Sequence, residues 1–221
     1  FLTNHSADNV KLSVTGGTFK TKIGCNDANK AGVKGAIVGG IFTESAKANT
    51  DSNLLSQNSM YKANGDGTYT VVTDNTMIVV RSVSEFKTAM ANEAIATIVL
   101  GDNLTANEIL VISRDVTLNG NGYTLTSTMS GTSGRAINVS GANDATIKNL
   151  TVKAAGERAI NVIQNTKKVT IDNVTATANN YVVNVAGSAA GVQVFIQNSD
   201  LTGLNTVNIG AANVNVSINN T

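Results

Sequence analysis

The chain has 221 residues and a net charge of +1, and 42% of its residues are hydrophobic, 14% charged and 4% aromatic. The balanced charge excludes a general electrostatic surface for nucleic acid, and no apolar run approaches the roughly 18 residues of a membrane span. A lone Cys25 excludes an internal disulfide framework and a cysteine-based zinc site. Pro is absent, as is typical of strands that lie between two others, because Pro cannot donate to a β-ladder.

A repeat of 23 residues marks the first third of the chain. Residues 14–19, Val-Thr-Gly-Gly-Thr-Phe, recur as residues 37–42, Ile-Val-Gly-Gly-Ile-Phe. Each Gly pair suits a sharp corner between strands, because glycine has no Cβ to restrict its backbone.

The chain begins at Phe1 and not at Met, so we expect a mature or trimmed fragment. His5 has no Ser or Cys partner in a recognisable motif, which argues against a catalytic triad.

A hairpin is predicted to close this first region. Residues 61–63 and 68–72 flank Asn-Gly-Asp-Gly at 64–67, a strong pattern for a β-hairpin. We therefore predict that residues 1–76 are the C-terminal coils and closing hairpin of one β-helix, and that residues 77–221 begin a second. A single continuous β-helix with an inserted hairpin is the alternative.

A short helix is predicted at residues 84–91, with Ser84 at its N-cap. We expect it to cover the open end of a strand stack, as solenoids require. The predicted apolar face of the helix carries Phe86, Ala89 and Met90. The strands of a first coil are predicted at residues 98–100, 110–112 and 116–118.

Two interleaved series of asparagines carry the repeat of the last two thirds. In the first series, variants of Ala-Ile-Asn-Val place the asparagines 23, 23 and 24 residues apart. These are Asn138, Asn161, Asn184 and Asn208. In the second series, the pattern Ile-x-Asn gives spacings of 24, 25 and 22. Its members are Asn149, Asn173, Asn198 and Asn220.

Within each unit, apolar and polar residues alternate with period 2, as in half-buried strands. Ile137 and Val139 are predicted to face inwards and Asn138 outwards. Each unit holds about three short strands without room for a helix. We therefore predict an all-β fold, a right-handed parallel β-helix of about 23-residue, three-strand coils stacked at the ~4.8 Å strand spacing, with one short capping helix near 84–91.

The second asparagine series interrupts the alternation between two inward positions, which predicts a corner. Asn tolerates a left-handed backbone better than other non-Gly residues. Stacked corner amides can hydrogen-bond from coil to coil, so we predict a structural ladder at Asn149, Asn173, Asn198 and Asn220.

Several segments resemble one known class of protein. They are the Gly-Gly-x-Phe coils, the Asp-Gly-Thr-Tyr-Thr-Val hairpin at 66–71, and the stretch 82–125 from Ser-Val-Ser-Glu-Phe-Lys-Thr-Ala to Val-Thr-Leu-Asn-Gly-Asn-Gly-Tyr-Thr-Leu. Together they resemble the parallel β-helix (pectate-lyase-like solenoid) modules of large secreted bacterial cell-surface proteins. The resemblance implies an extracellular location at the cell surface or cell wall. It implies little about activity, because the same architecture also hosts pectate-lyase-like enzymes and phage tailspikes.

One column of outward side chains is a candidate glycan contact. Arg135 and Arg158 each precede an Ala-Ile-Asn strand, and Tyr181 holds the equivalent position in the next coil. Such a column can hold a sugar or a carboxylate by ring stacking and a bidentate contact. The alternative, which the sequence favours, is a solvated column in which Glu157 neutralises the arginines.

A Thr-rich outward face is predicted after the corners. The outward positions resemble the flat faces of ice- or glycan-binding solenoids, and they are Thr124 and Thr126, Thr151 and Lys153, Thr175 and Thr177, and Asp200 and Thr202. Thr is, however, a preferred strand residue in general, and Lys153 and Asp200 break the regularity. We therefore do not predict ice binding.

Polysaccharide lyase or hydrolase activity is the enzymatic alternative. Glycosidases need carboxylates that face one cleft at separations of roughly 5 to 9.5 Å. The predicted register places Asp172 and Asp200 on different sheets, and Asp172 lies between Lys148 and Gln197 in its column. We predict no catalytic, cofactor-binding or metal-binding residues and no enzymatic activity.

The sequence thus predicts a structural or adhesive repeat segment of an extracellular bacterial surface protein, within a fibre or a surface layer (S-layer). A glycan-binding or polysaccharide-cleaving β-helix is the alternative. The expected partners are other domains of the same protein, copies of itself, and cell-wall or host glycans, with no nucleic acid and no membrane span. Because the coil pattern is still intact at residues 218–221, we also expect the chain to continue or to associate end to end.

Overall fold

A computed structural model describes residues 11–25, 28 and 32–221. Phe1 and His5, considered above, lie outside the described residues. The chain divides into two compact units, Phe1–Val79 and Val80–Thr221. Strand β5 (Met77–Val80) spans the boundary between them.

The first unit contains a four-stranded sheet with the order β1-β2-β4-β3. β1 and β2 pair in parallel with a shift of one coil, whereas β2–β4 and β3–β4 are antiparallel. The predicted hairpin is the β3–β4 pair. The elements of this unit are β1 (Thr18–Phe19), β2 (Ile41–Thr43), α1 (Glu44–Asn49), a 3-10 helix (Ser52–Leu54), β3 (Ser59–Ala63) and β4 (Thr68–Thr73).

An aromatic cluster fills the core of the first unit. The fully buried Phe42 ring stacks on Phe19 at a centroid distance of 4.7 Å and meets the edge of Tyr61 at 5.2 Å. Burial raises the pKa of Tyr61 to about 12, because the apolar surroundings disfavour the phenolate. Ile37 and Leu54 complete the core beside this cluster.

Helix α1 is an element that the sequence analysis did not predict. Its first turn is capped by Thr43, whose hydroxyl accepts a hydrogen bond from the Ala46 amide at 3.3 Å. Ala46 is fully buried and holds the helix against the core. A six-residue helix with a single buried side chain is too short to give a periodic sequence pattern.

The second unit is the predicted parallel β-solenoid, with coils of about 24 residues. In its main sheet, successive coils contribute the strands β6-β9-β11-β12-β14-β17, which pair in parallel. Its elements are α2 (Val83–Ala91), β6 (Thr97–Leu100), β7 (Leu104–Ala106), β8 (Leu110–Ile112), β9 (Val116–Asn119), β10 (Thr124–Val139), β11 (Ala145–Val162), β12 (Lys168–Thr177), β13 (Tyr181–Val185), β14 (Gln193–Gln197), β15 (Asp200–Thr202), β16 (Asn205–Ile209) and β17 (Asn215–Asn219).

Aliphatic side chains stacked from coil to coil form the core of the second unit. The equivalent residues Ile137, Ile160 and Val183 are all fully buried. Strands β10 and β11 are longer than the short strands that the sequence predicts. Each continues through a corner, because its pairing with the neighbouring coil is present before and after that corner.

Helix α2 begins slightly earlier than predicted, and its N-cap is Ser82, not Ser84. The Ser82 hydroxyl accepts from the Glu85 amide at 3.1 Å, and the Glu85 carboxylate accepts from the Arg81 amide at 2.7 Å. This exchange resembles a capping box and fixes the start of the helix. The predicted apolar face is confirmed: Phe86, Ala89 and Met90 are buried.

The C-terminal end of α2 is held by Arg114 from the first coil. Its guanidinium donates hydrogen bonds of 2.7 to 3.2 Å to five backbone carbonyls. These carbonyls belong to Ala89, Met90, Asn92, Ile95 and Asp115. A cation at this end also complements the helix dipole.

Candidate functional site

The corner asparagines place their backbones in the left-handed region. Asn149, Asn173 and Asn198 each have φ of 52°, and Asn220 has φ of 54°. The Asn173 amide donates to Asn149 Oδ1 at 2.9 Å, and Asn149 donates to Asn119 Oδ1 of the preceding coil at 3.1 Å. These hydrogen bonds join the corners of successive coils in one direction.

The step from Asn198 ends on an acidic side chain and not on the preceding corner asparagine. Asn198 Nδ2 donates to the carboxylate of Asp172 at 2.9 Å and not to Asn173. A carboxylate is a stronger acceptor than a neutral amide, which accounts for this preference. Asn220 then donates to Asn198 Oδ1 at 3.0 Å.

The first asparagine series forms a second ladder, in which two members are almost fully buried although alternation predicts an outward position for Asn138. Asn161 and Asn184 are only 2% and 3% exposed. Asn161 donates to Asn138 at 2.9 Å, Asn184 to Asn161 at 2.7 Å, and Asn208 to Asn184 at 2.7 Å. Because each central amide both donates and accepts within the ladder, its burial carries little penalty.

The candidate glycan contact lies on the same strands as this ladder. Arg135 pairs in register with Arg158, which pairs with Tyr181. The structure therefore places the three predicted residues in one column on consecutive coils. We call Arg135, Arg158 and Tyr181 the Arg column.

The two arginines of the Arg column differ in their partners. Arg158 Nη2 forms an ion pair with Glu157 Oε2 at 3.1 Å, and the two side chains are 20% and 16% exposed. Arg135 Nη1 donates to the backbone carbonyl of Ser133 at 2.7 Å. Among the described residues, no Asp or Glu forms an ion pair with Arg135. Glu157 therefore neutralises one arginine of the column and not both.

Further contacts fix Arg158 from two sides. Its guanidinium carbon lies 5.8 Å from the centroid of the Tyr181 ring, within the range of a cation–π contact. Glu157 Oε1 also accepts from Asn180 Nδ2 at 3.4 Å, so the carboxylate bridges two coils. Arg158 Nε is buried and has no hydrogen-bond acceptor among the residues that the structure describes. The sequence analysis did not identify Asn180 as a partner of Glu157. The only signal in the sequence is that Asn180 directly precedes Tyr181 in the repeat.

The Thr-rich face is present as a set of registered columns. Thr124, Thr151, Thr175 and Asp200 succeed one another on neighbouring coils, as do Thr126, Lys153, Thr177 and Thr202. A shallow polar depression of about 330 Å³ lies along its edge at the corner ladder. It is lined by Asn121, Gly122, Asn149, Leu150, Thr151, Asn173 and Thr175. Hydroxyls and amides in this depression are suited to weak polar contacts.

The outward carboxylates stand beside unlike neighbours. Asp172 pairs in register with Lys148 on one side and with Gln197 on the other, and Asp200 pairs with Thr175. In the described part of the chain, no group of three or more His, Cys, Asp or Glu side chains could hold a metal ion. No described helix has the length and hydropathy of a membrane-spanning segment.

The chain thus contains a parallel β-solenoid with polar outer columns, whose coils are joined by ladders of asparagine hydrogen bonds. Residues 77–183, just under half of the chain, match the family model of the pectate lyase-like adhesive domain. The matched segment includes the whole Arg column. A search of curated proteins and a search of solved structures each found no match to the chain.

Proposed function

We propose that the chain is a non-catalytic adhesive segment of an extracellular bacterial surface protein and that its stacked coils serve as a stiff spacer within a fibre or surface layer. The match of residues 77–183 to an adhesive domain is the observation that carries this proposal. A match to an adhesive domain supports a location at the cell surface. The expected partners are other domains or copies of the same protein and surface glycans.

The geometry of the coils supports the spacer role. The interior coils of the second unit pair with the coil before and the coil after them, over several strands at once. In such a solenoid, stability comes mainly from contacts between neighbouring coils, so the stack extends along one axis. Two asparagine ladders add further hydrogen bonds between neighbouring coils.

The arrangement of the carboxylates favours binding over cleavage. A retaining or inverting glycosidase requires two carboxylates across one cleft. Here the registered neighbours of Asp172 are a lysine and a glutamine, and Glu157 is engaged by Arg158 and Asn180. These contacts leave each of the two carboxylates in a structural role.

Two experiments test this proposal. Brief protease treatment of intact cells that produce the protein should release peptides from the chain, and their release only after lysis would contradict the surface location. Incubation of the chain with pectin, alginate and other acidic glycans, with and without Ca²⁺, should yield no unsaturated or reducing ends. Product formation that disappears in Arg158→Ala would show that the segment is an enzyme.

A further inference from the structure

We propose that the Arg column binds a glycan in which an acidic sugar is followed by a neutral sugar. The inference rests on the proposed adhesive function and specifies its ligand. It follows from the unequal charge along the column: Arg135 is a cation without a carboxylate partner among the described residues, whereas Arg158 is neutralised by Glu157.

Arg135 is the position for the acidic sugar. Its Nη1–H donates to the Ser133 carbonyl at 2.7 Å, which orients the guanidinium. No described residue accepts a hydrogen bond from Nε or Nη2, so these donors remain for a ligand. The planar fork of these donors matches the two oxygens of a carboxylate. Arg135 is also half-buried, so a ligand there would meet a partly desolvated cation.

The Arg158–Glu157 pair disfavours a second acidic sugar on the next coil. Its charges cancel at 3.1 Å, and Glu157 is held in place by the Asn180 amide. A ligand carboxylate at this level would approach the Glu157 carboxylate and would compete for an arginine that is already paired. Like charges brought together in this way reduce affinity and so create specificity. A neutral sugar meets no such repulsion.

Tyr181 supplies an aromatic surface for the neutral part of the ligand. Its ring is half-buried and is fixed by the Arg158 guanidinium at 5.8 Å. Arg135 and Tyr181 lie two coils apart, a distance of about 10 Å at the usual strand spacing. The column is therefore long enough to engage more than one sugar ring.

Isothermal titration calorimetry with the full 221-residue chain tests the proposal. The probes are a hyaluronan tetrasaccharide, in which acidic and neutral sugars alternate, its methyl ester, tetragalacturonate, in which every sugar is acidic, and neutral chitotetraose. Hyaluronan should bind at least about tenfold more tightly than its ester, because the ester cannot accept a bidentate ionic contact. It should also bind more tightly than tetragalacturonate and chitotetraose.

Variants of the column sharpen the test. Arg135→Ala should weaken hyaluronan binding by about tenfold or more, and Arg135→Lys should weaken it less, because the charge remains while the fork is lost. Lys153→Ala is the matched control, since Lys153 is an exposed cation on the neighbouring Thr-rich face, and it should leave affinity unchanged. Glu157→Gln should bring the affinity for tetragalacturonate closer to that for hyaluronan. Circular dichroism melting establishes that each variant is folded.

Equal affinity for the acid and its ester, an equal loss in Lys153→Ala and Arg135→Ala, or tetragalacturonate as the tightest ligand would each overturn the proposal. Absence of hyaluronan binding would overturn it as well. The adhesive function would survive any of these results if beads coated with the chain still adhered to cell surfaces. Failure of both measurements would remove the proposed function together with this inference.

Discussion

The two units build the corners of their coils from different residues. In the first unit, the paired corners contain Gly17 and Gly40, whose φ values are 107° and 115°. In the second unit, the corners contain asparagines with φ near 52°. Only glycine adopts the former conformation readily, whereas the latter is the left-handed region that Asn tolerates. The residue type at each corner thus follows from the exact backbone angle.

The difference has a consequence for stability. A glycine corner adopts the required positive φ but has no side chain, so it offers no side-chain amide to hydrogen-bond with the neighbouring coil. An asparagine corner adopts a positive φ and also offers a side-chain amide, as the hydrogen bond from Asn173 to Asn149 shows. Space also differs: a Cβ on Gly39 would lie 2.3 Å from the Thr15 carbonyl oxygen, which leaves no room for any side chain.

The largest effect is expected for Gly39→Ala. The added methyl group would clash with the Thr15 backbone, and we expect a loss of about 3 kcal/mol in the free energy of unfolding. Gly16→Ala is the matched control one coil away, because no atom of the described residues lies within 4 Å of a Cβ there. Urea denaturation of both variants measures the difference. Equal stabilities would mean that the two coils do not approach each other as closely as described.

A smaller effect is expected at the asparagine corners. Asn173→Leu should lose the hydrogen bond to Asn149 and strain the backbone, at a cost of roughly 1–3 kcal/mol. Asn173→Gly should cost less, because glycine keeps the left-handed conformation. The comparison requires only thermal melts of the two variants. Identical melting temperatures would refute the corner role of this residue.

A still smaller loss of stability is expected when the hydrogen bond from Asn198 to Asp172 is removed. Asp172→Ala removes the acceptor of Asn198 and should cost about 1 kcal/mol. Asp172→Asn keeps an acceptor oxygen and should be close to neutral. Chemical denaturation distinguishes them, and an equally large loss for both would show that the charge of Asp172 matters and not its hydrogen bond.

The smallest effect concerns two carboxylates in turns, one in each unit. Hydrogen bonds from the Asp144 and Asn143 amides of the next coil hold the pKa of Asp115 below its usual value. Hydrogen bonds from Thr68 lower the pKa of Asp66 within its own hairpin. A lowered pKa stabilises the fold above the unfolded pKa, and this contribution is lost as the pH falls through the folded pKa.

Hydrogen exchange as a function of pH can separate these two turns. Acidification should deprotect the amides of Asn143 and Asp144 in wild type, and Asp115→Asn should largely remove this pH dependence. At the Asp66 hairpin the change should remain local to Thr68, because its bonds do not reach another coil. Acid-induced deprotection spreading through the first unit would contradict that distinction.

Much of the fold was predictable because the coil period appears directly in the sequence. The spacing of Asn149, Asn173 and Asn198 predicted the parallel stack, whose strands lie in the expected register. Helix α1 was not predictable, because its stability depends on the Thr43 cap and the burial of Ala46. Alternation predicted that Asn138 faces outwards, but it could not predict that the equivalent Asn161 is buried, since a period of 2 gives the side of a strand but not its exposure.

The candidate site was only partly predictable for a similar reason. The repeat aligned Arg135, Arg158 and Tyr181, because equivalent positions of successive coils become neighbours. The repeat could not show which arginine Glu157 neutralises, because this depends on the side-chain conformations of Glu157 and the two arginines. The pairing with Arg158 alone emerges only from the three-dimensional contacts.

The most direct test of the adhesive function is the retention of chain-coated beads on surfaces under flow. Beads carrying the folded 221-residue chain should remain on epithelial cells or on purified bacterial cell walls at flow rates that remove uncoated beads. Beads carrying the same chain after heat unfolding should wash off, because adhesion depends on side chains aligned by the coils. Retention no greater than that of uncoated beads on either surface would contradict the adhesive account.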